Sequence, residues 1–193
     1  MNADKGVRLV AMGDLLMDRA QEKRNALKVK RPEQVAVDDD HCFAGFDAYQ
    51  KVIECVDVVL IANAAKFHPL HMRAALEAGK HVFVEKPHAI DPAGIKAVIA
   101  ACELARQKGL CVVSGLQSRY HPGYRETVRR VHDGAIGELV GGQCYWNGGE
   151  LWYNDPGPEW SQMEVQIRNW LYFTWLSGDH IVEQHVHNLD IMN

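Results

Sequence analysis

The stretch AALEAGKHVFVEKP, residues 74–87, combines the end of a helix, a strand and a polar turn. Pro69 is suited to open this helix and Gly79 to close it, because proline favours the first helical turn and glycine the position after the last one. The run 81–84 is short, apolar and rich in valine, which is typical of a buried strand. The stretch therefore predicts a helix followed directly by a strand, with Glu-Lys-Pro where the strand ends.

The same alternation extends along the chain on both sides. Strands are predicted at 7–12, 41–43, 57–61, 81–84 and 110–113, and helices at 15–28, 46–55, 69–79 and 91–109. Such alternation predicts an α/β fold with a parallel sheet and right-handed crossovers. The run 57–61 is continuously apolar, so we expect it to be buried on both faces. Ligands of such sheets bind beside the carboxyl ends of the strands.

The pattern changes near residue 121. A helix is predicted at 123–131 and a strand at 138–146, followed by a loop rich in glycine, proline and aromatic residues and by a helix that starts near residue 179. All five tryptophans lie in this part. We therefore predict a first domain at 1–120 and the start of an α+β domain at 121–193.

Composition disfavours several classes of protein. The formal net charge is -4 without a run of lysine and arginine, so neither nucleic acid nor an anionic membrane is an expected partner. No apolar stretch reaches the roughly 18 residues of a spanning helix, and the first residues do not resemble a signal peptide. Five widely spaced cysteines argue against a disulfide framework or a cysteine zinc site. We expect a cytoplasmic protein, or a periplasmic one if a signal precedes Met1.

Lys86 is a candidate acid–base group at the ligand edge of the sheet. Pro87 restricts it to extended conformations, and the Lys86-Pro87 bond is a candidate for the cis form. A lysine held in this way can donate to a substrate hydroxyl. The tripeptide alone fits a solvated turn lysine at least as well.

A second candidate lies on the last predicted helix. His180, Glu183, His187 and Asp190 are spaced three, four and three residues apart, which places them on one helix face. Glu183 is expected to orient the imidazole of His187, which then takes a hydroxyl proton as hydride leaves the carbon. A solvated face with one ion pair is the alternative. We predict no metal site, because the spacing fits neither HExxH nor HxxEH.

Three further polar residues follow predicted strands. Asp14 suits a hydrogen bond to the adenosine ribose of a dinucleotide, which favours NAD over NADP, and it serves equally well as a helix cap. Gln117 and Arg119 are candidates for contacts with the nicotinamide amide or the substrate, or for capping the next segment.

These motifs resemble the Gfo/Idh/MocA family, named for glucose–fructose oxidoreductase, inositol dehydrogenase and a rhizopine-catabolism protein. Residues 74–87 closely match the family signature, residues 10–14 resemble its second Rossmann strand, and residues 178–190 resemble its Asp-x-x-x-His helix. The resemblance implies a Rossmann-like fold that binds NAD, with NADP less favoured. It also implies reversible oxidation of a hydroxyl on a sugar or polyol, and a full-length protein that is a homo-oligomer.

By the same resemblance Lys86 and His187 are catalytic, and Glu183 stands where the family more often has Asp. Substrate binding then falls to Lys86, Arg119, His187 and Asp190. Cofactor binding is implied for a larger set: Asp14, Ala62, Asn63, His68, Glu85, Lys86, Gln117, Arg168 and Trp170.

The chain departs from the family in two ways. It has no GxGxxG and no strand before Val7, and the family continues past Asn193 into an antiparallel sheet. Because the missing strand is central in the order 3-2-1-4-5-6, the strands at 7–12 and 57–61 lack a shared neighbour. We therefore expect a fragment of a longer gene product. An NAD-dependent glycosidase of the same fold and a catalytically inactive fragment stay open as alternatives.

Overall fold

The computed structural model describes residues 4–193, in which strands alternate with helices up to residue 114. The strands are β1 (Met12–Asp14), β2 (Cys42–Ala44), β3 (Val58–Ile61), β4 (His81–Val84) and β5 (Val112–Ser114). The helices are α1 (Met17–Lys30), α2 (Ala48–Cys55), α3 (His68–Glu77), α4 (Pro92–Lys108), α5 (Pro122–His132), α6 (Gln162–Arg168), α7 (Thr174–Ser177), α8 (Asp179–Glu183) and α9 (Val186–Met192). Short 3₁₀ turns lie at Ala65–Phe67, Gln117–Tyr120 and Trp170–Tyr172. The predicted α/β class is confirmed.

The strands form two separate sheets. β1 pairs with β2 in parallel, with Met12 opposite Cys42. The second sheet has the order β3-β4-β5, and the backbone nitrogen of Val82 in β4 donates to the carbonyl of Cys111. Within residues 4–193 no strand joins β1 to β3, as expected for a Rossmann-like sheet without its central strand.

Two strand predictions need correction. The strand predicted at 7–12 is found at 12–14, with only an isolated bridge between Leu9 and Val35 before it. β3 is buried on one face only, since Val58 and Leu60 are 50% and 67% exposed. Burial of both faces requires elements packed on each side of a sheet, and no described element covers this face of β3.

The described residues divide into two compact units. The first comprises the described part of Met1–Asn63, together with Leu70–Phe83 and Ala100–Val112. One hydrophobic cluster in it joins α1 to β2, and its buried members are Ala20, Val35, Val37 and Cys42. The second unit comprises Ala64–Pro69, Val84–Ile99 and Val113–Asn193, with Leu176 and Asn169 among its fully buried side chains. The predicted domain boundary near residue 120 stays a prediction.

The strand predicted at 138–146 is wrong, because these residues have no assigned secondary structure. A strand requires a hydrogen-bonded neighbour, and none of the described strands pairs with this segment. The helix predicted from residue 179 is also interrupted. The backbone nitrogens of Gln184 and His185 both donate to the carbonyl of His180, which ends α8 before α9 begins. Every helix in the described range is too short or too polar to pass through a bilayer.

Candidate active site

The Glu-Lys-Pro turn at the end of β4 is held in place by a buried histidine. The Lys86-Pro87 bond is cis, the form for which the sequence made it a candidate. His68 is 1% exposed, and its Nδ1 lies 2.7 Å from the carbonyl oxygen of Pro87. Because a carbonyl only accepts, Nδ1 of His68 carries the proton in this bond. His68 was expected to contact cofactor, but its imidazole is almost entirely enclosed and anchors the turn.

Glu85 packs against Gly115, which was not among the candidate residues of the sequence analysis. A Cβ atom added at Gly115 would lie 2.5 Å from Oε2 of Glu85, so a side chain at this position displaces the carboxylate. The same Oε2 accepts from the backbone nitrogen of Lys86 at 3.3 Å. Gly115 therefore leaves room for the carboxylate beside the turn that bears Lys86.

Lys86 and Glu183 form a buried ion pair between residues 97 positions apart. The ammonium donates to Oε1 of Glu183 at 2.6 Å and also to the backbone carbonyl of Glu183. The two side chains are 13% and 7% exposed. Burial raises the pKa of Glu183 while the ammonium of Lys86 acts to lower it. We favour an ionised carboxylate here, because a 2.6 Å contact to an ammonium strongly stabilises the charged form.

Glu183 does not orient His187, which corrects the expectation from their spacing. Oε2 of Glu183 and Nδ1 of His187 are both buried and neither has a hydrogen-bond partner within the described residues. The reason is the interruption between α8 and α9, since the two residues no longer lie one turn apart on a continuous helix. The carboxylate contacts Lys86 instead.

His187 lies in a setting that favours its neutral form. Its ring stacks on the indole of Trp146, with ring centroids 5.6 Å apart and an angle of 28° between the planes. Burial is the largest cause that lowers the pKa of His187, and the positive charge of Lys86 lowers it further, while Glu85 and Asp190 act in the opposite direction. A neutral imidazole next to an ammonium is suited to accept a proton from a substrate hydroxyl.

A second pair, between Arg119 and Asp190, lies beside these residues. The guanidinium of Arg119 donates to Oδ1 of Asp190 at 2.7 Å across 71 positions of sequence. Asp190 is 9% exposed in its side chain, whereas Arg119 is 55% exposed. The carboxylate also acts electrostatically on His187 and on His88.

His88 is a residue that the sequence analysis missed. Its Nε2 lies 2.8 Å from Oγ of Ser114 at the end of β5, and burial lowers its pKa. Glu85 and Asp190 raise that pKa, so His88 faces the same two carboxylates as His187. Its place directly after Glu-Lys-Pro was the available signal.

The candidate cofactor residues that follow β1 and β3 lie in the first unit. Oδ1 of Asp14 accepts from the backbone nitrogen of Leu16 at 2.9 Å, and α1 begins after Leu16 without a side-chain cap. Nδ2 of Asn63 lies 3.2 Å from Nδ1 of His71. Ala62 and Asn63 are exposed, so both remain accessible to a ligand.

The other candidate cofactor residues lie in the second unit and contact their own neighbours. Gln117 is exposed at the start of a 3₁₀ turn. Arg168 pairs with Glu164 at 2.9 Å and lies 4.5 Å from the ring centroid of Trp160. Trp170 is tilted against Trp152 at 6.1 Å.

An open groove of about 400 Å³ lies along α5, next to Arg119 and Ile191. It does not include Lys86, Glu183 or His187, so this groove and the candidate acid–base residues do not coincide. We locate the site by the titratable side chains, because they supply the chemistry. No group of three His, Cys, Asp or Glu side chains in residues 4–193 is arranged to hold a metal ion.

Similarity to known proteins covers most of the chain. Residues 1–115 match a family model described as "Oxidoreductase family, NAD-binding Rossmann fold". An inositol 2-dehydrogenase/D-chiro-inositol 3-dehydrogenase from Halalkalibacterium halodurans is 30% identical over 174 residues, which are 88% of this chain and 47% of the relative. The scyllo-inositol 2-dehydrogenase (NAD(+)) of Bacillus subtilis is 28% identical over 136 residues, which are 70% of this chain and 35% of that protein.

A solved structure shows the same fold. A 3-ketoreductase from Actinomadura kijaniata, in complex with TDP-benzene and NADP, aligns with a TM-score of 0.52 and 25% identity. The alignment covers 71% of this chain and 38% of that chain. The chain thus spans 47% and 35% of the length of the two curated relatives and a comparable part of this structure.

Proposed function

Because the chain belongs to the Gfo/Idh/MocA family of oxidoreductases with an NAD-binding Rossmann fold, we propose that the complete protein is an NAD(P)-dependent dehydrogenase. It transfers a hydride between a nicotinamide cofactor and a hydroxyl of a sugar, a polyol or a related compound. The observation that carries this proposal is the clustering of Lys86, Glu183 and His187, in which the charge of Lys86 acts directly on His187. Two relatives that are inositol dehydrogenases support this class of substrate.

The proton chemistry falls to Lys86 and His187. An ammonium has three hydrogens to donate, and Lys86 uses two of them on Glu183. The third is available to a substrate oxygen, where it stabilises the negative charge that develops as the hydroxyl is deprotonated. His187 accepts that proton in the oxidative direction and returns it in the reductive direction.

The site is suited to a ligand that has hydrogen-bonding groups. Oε2 of Glu183 and Nδ1 of His187 are buried and unpartnered, and such atoms favour an incoming hydrogen-bonding group. A nicotinamide, when bound, supplies the carbon that takes or gives the hydride. The residues proposed to hold the cofactor are Asp14, Ala62, Asn63, Glu85, Lys86, Gln117, Arg168 and Trp170. We assign no residue to the pyrophosphate, since the sequence has no GxGxxG.

NAD is the favoured cofactor of this proposal. An acid at the end of the second Rossmann strand accepts from a ribose diol and repels a 2′-phosphate, and Asp14 ends β1. The Bacillus subtilis relative is named for NAD(+), whereas the Actinomadura kijaniata structure holds NADP. We further propose a cytoplasmic homo-oligomer that does not bind nucleic acid, in keeping with the net charge of -4.

The experiment is a turnover assay on the full-length protein with NAD and a panel of inositols and aldoses. Lys86→Ala and His187→Ala are each expected to lower kcat by about 100-fold or more, the usual size of a lost acid–base group. Lys96→Ala removes an exposed lysine of α4 and serves as the matched control. If both site variants turn over as fast as the control, these roles are wrong.

A further inference from the structure

Trp146 lies face to face with the candidate catalytic histidine. The indole and the imidazole of His187 have ring centroids 5.6 Å apart and planes inclined by 28°. Trp146 is half-buried and comes from a segment without secondary structure, 41 residues before His187. A stacked ring restricts the rotation of the imidazole, because turning it would break the face-to-face contact.

The segment that carries Trp146 is attached to the last two helices. The carbonyl of Trp146 lies 3.2 Å from Nε2 of His180, and the carbonyl of Tyr145 accepts from Nδ2 of Asn188 at 2.5 Å. The preceding residue continues the pattern, since Sγ of Cys144 lies 3.5 Å from Nε2 of His185. Three consecutive residues thus each contact a different residue of 180–188, which sets the position of the indole before any ligand arrives.

The usual means of orienting a catalytic histidine is absent among the described residues. Such a ring is commonly held by a hydrogen bond from its second nitrogen to a carboxylate or carbonyl. Nδ1 of His187 is buried without such a bond. The carboxylates four residues before it and three residues after it, those of Glu183 and Asp190, pair with Lys86 and Arg119. Stacking is the interaction that the structure offers in its place.

We propose that Trp146 is a positioning residue that holds the imidazole of His187 in its reactive orientation. The inference rests on the proposed role of His187 and adds Trp146, which lies outside the sequence motifs of the site. The charged groups that act on His187 are Lys86 and Glu85 from the Glu-Lys-Pro turn and Asp190 from its own helix. Trp146 adds no charge and acts by stacking and by keeping water from one face of the ring.

The stacked indole also has a definite effect on protonation. Burial is the largest cause of the lowered pKa of His187, so removing the indole raises that pKa towards its ordinary value. A protonated imidazole over an indole gains cation–π attraction, which acts in the opposite direction. We expect the loss of burial to decide the direction, because burial is the largest cause of the lowered pKa of His187.

The test compares Trp146→Phe, Trp146→Leu and Trp146→Ala with Trp175→Ala, a matched control that removes a 42% exposed indole elsewhere in the same unit. Trp146→Leu keeps an apolar side chain but removes the flat ring. It therefore still tests the stacking if the alanine variant does not fold. The leucine and alanine variants are expected to lower kcat by about 10- to 100-fold, in line with a misplaced reacting group, with KM within about twofold. Trp146→Phe is expected to retain most of the wild-type kcat.

NMR titration of His187, assigned with His187→Gln, gives a readout that does not require turnover. The pKa of His187 is expected to rise in the leucine and alanine variants and to stay unchanged in Phe and the control. If Trp146→Leu matches Trp175→Ala in both kcat and titration, the inference is overturned while the proposed function stands. If no substrate turns over, the proposed function fails and the positioning role fails with it; a titration that still shifts then shows only that Trp146 shields the imidazole of His187 from water.

Discussion

At the scale of single residues, the pair of Lys86 and Glu183 decides the character of the site. Both side chains are almost fully buried, so each charge depends on the other for compensation. The exposed pairs of the chain, such as Arg106 with Glu103, are open to water and salt and contribute little. The same kind of contact therefore has different consequences at the two places.

Glu183→Gln is expected to lower the free energy of unfolding by about 3 kcal/mol, because it leaves the buried ammonium of Lys86 without a counter-charge. Glu103→Gln, which neutralises an exposed pair, is expected to cost less than about 1 kcal/mol. Urea unfolding of both variants measures the difference. Equal effects of the two substitutions would show that the Lys86 pair is solvated.

His187 also makes stability depend on pH. Its pKa is lowered in the folded protein, so the unfolded chain binds the proton first as pH falls. Stability from this group is complete above the unfolded pKa of 6.5 and decreases as pH falls from there towards the folded pKa. We expect His187→Gln to reduce the loss of unfolding free energy between about pH 7.5 and 5.5. Because His88 has a pKa lowered by burial, it contributes in the same direction and part of the loss persists. An identical loss in wild type and variant would contradict the prediction.

At the scale of elements, the loop before α6 is held by side-chain amides in place of a strand ladder. Asn169 is fully buried, and its Oδ1 accepts from the backbone nitrogen of Asn154 at 2.7 Å while its Nδ2 donates to the carbonyl of Asn154 at 3.0 Å. One amide thereby satisfies both backbone groups of a loop residue, as a neighbouring strand would. This explains how an irregular segment packs closely without strand pairing.

Asn169→Ala is expected to lower the free energy of unfolding by about 2 kcal/mol or more, because it leaves two backbone groups of Asn154 unpaired. Asn147→Ala, at an exposed position of the preceding segment, is the control and is expected to change stability by less than about 0.5 kcal/mol. Thermal and urea unfolding measure both. A loss no larger than that of the control would mean that water replaces the amide.

At the scale of the whole described chain, the strands of the three-stranded sheet differ in how well their edges are protected. β4 has a neighbour on each side, whereas β3 pairs only with β4. The apolar side chains of Val58 and Leu60 on β3 are largely exposed. Central strands open only with larger unfolding events, while edge strands open locally.

Hydrogen exchange tests this arrangement. Amides of 82–84 in β4 are expected to exchange more slowly than those of 58–61 in β3, because the second edge of β3 has no partner among the described strands. Exchange followed by mass spectrometry on the isolated chain resolves the two segments. Equal protection would indicate that a further strand or a second molecule pairs with β3.

Much of the fold was predictable from local patterns. The order of helices and strands through residue 114 and the turn after β4 follow from periodicity, proline and glycine. These signals are reliable because they act between residues a few positions apart. The prediction failed where a neighbour was needed, at the strand expected at 138–146 and at the buried second face of β3.

The sequence by itself determined which side chains were candidates: Lys86 after a strand, His187 and Glu183 near the end, and Arg119 with Asp190. Only the tertiary structure decided their partners, because Lys86 and Glu183 are separated by 97 positions and Arg119 and Asp190 by 71. Spacing along a helix predicted that Glu183 would contact His187, but the interruption after α8 breaks that relation. Contacts between distant residues depend on how elements pack, and no local pattern encodes that packing.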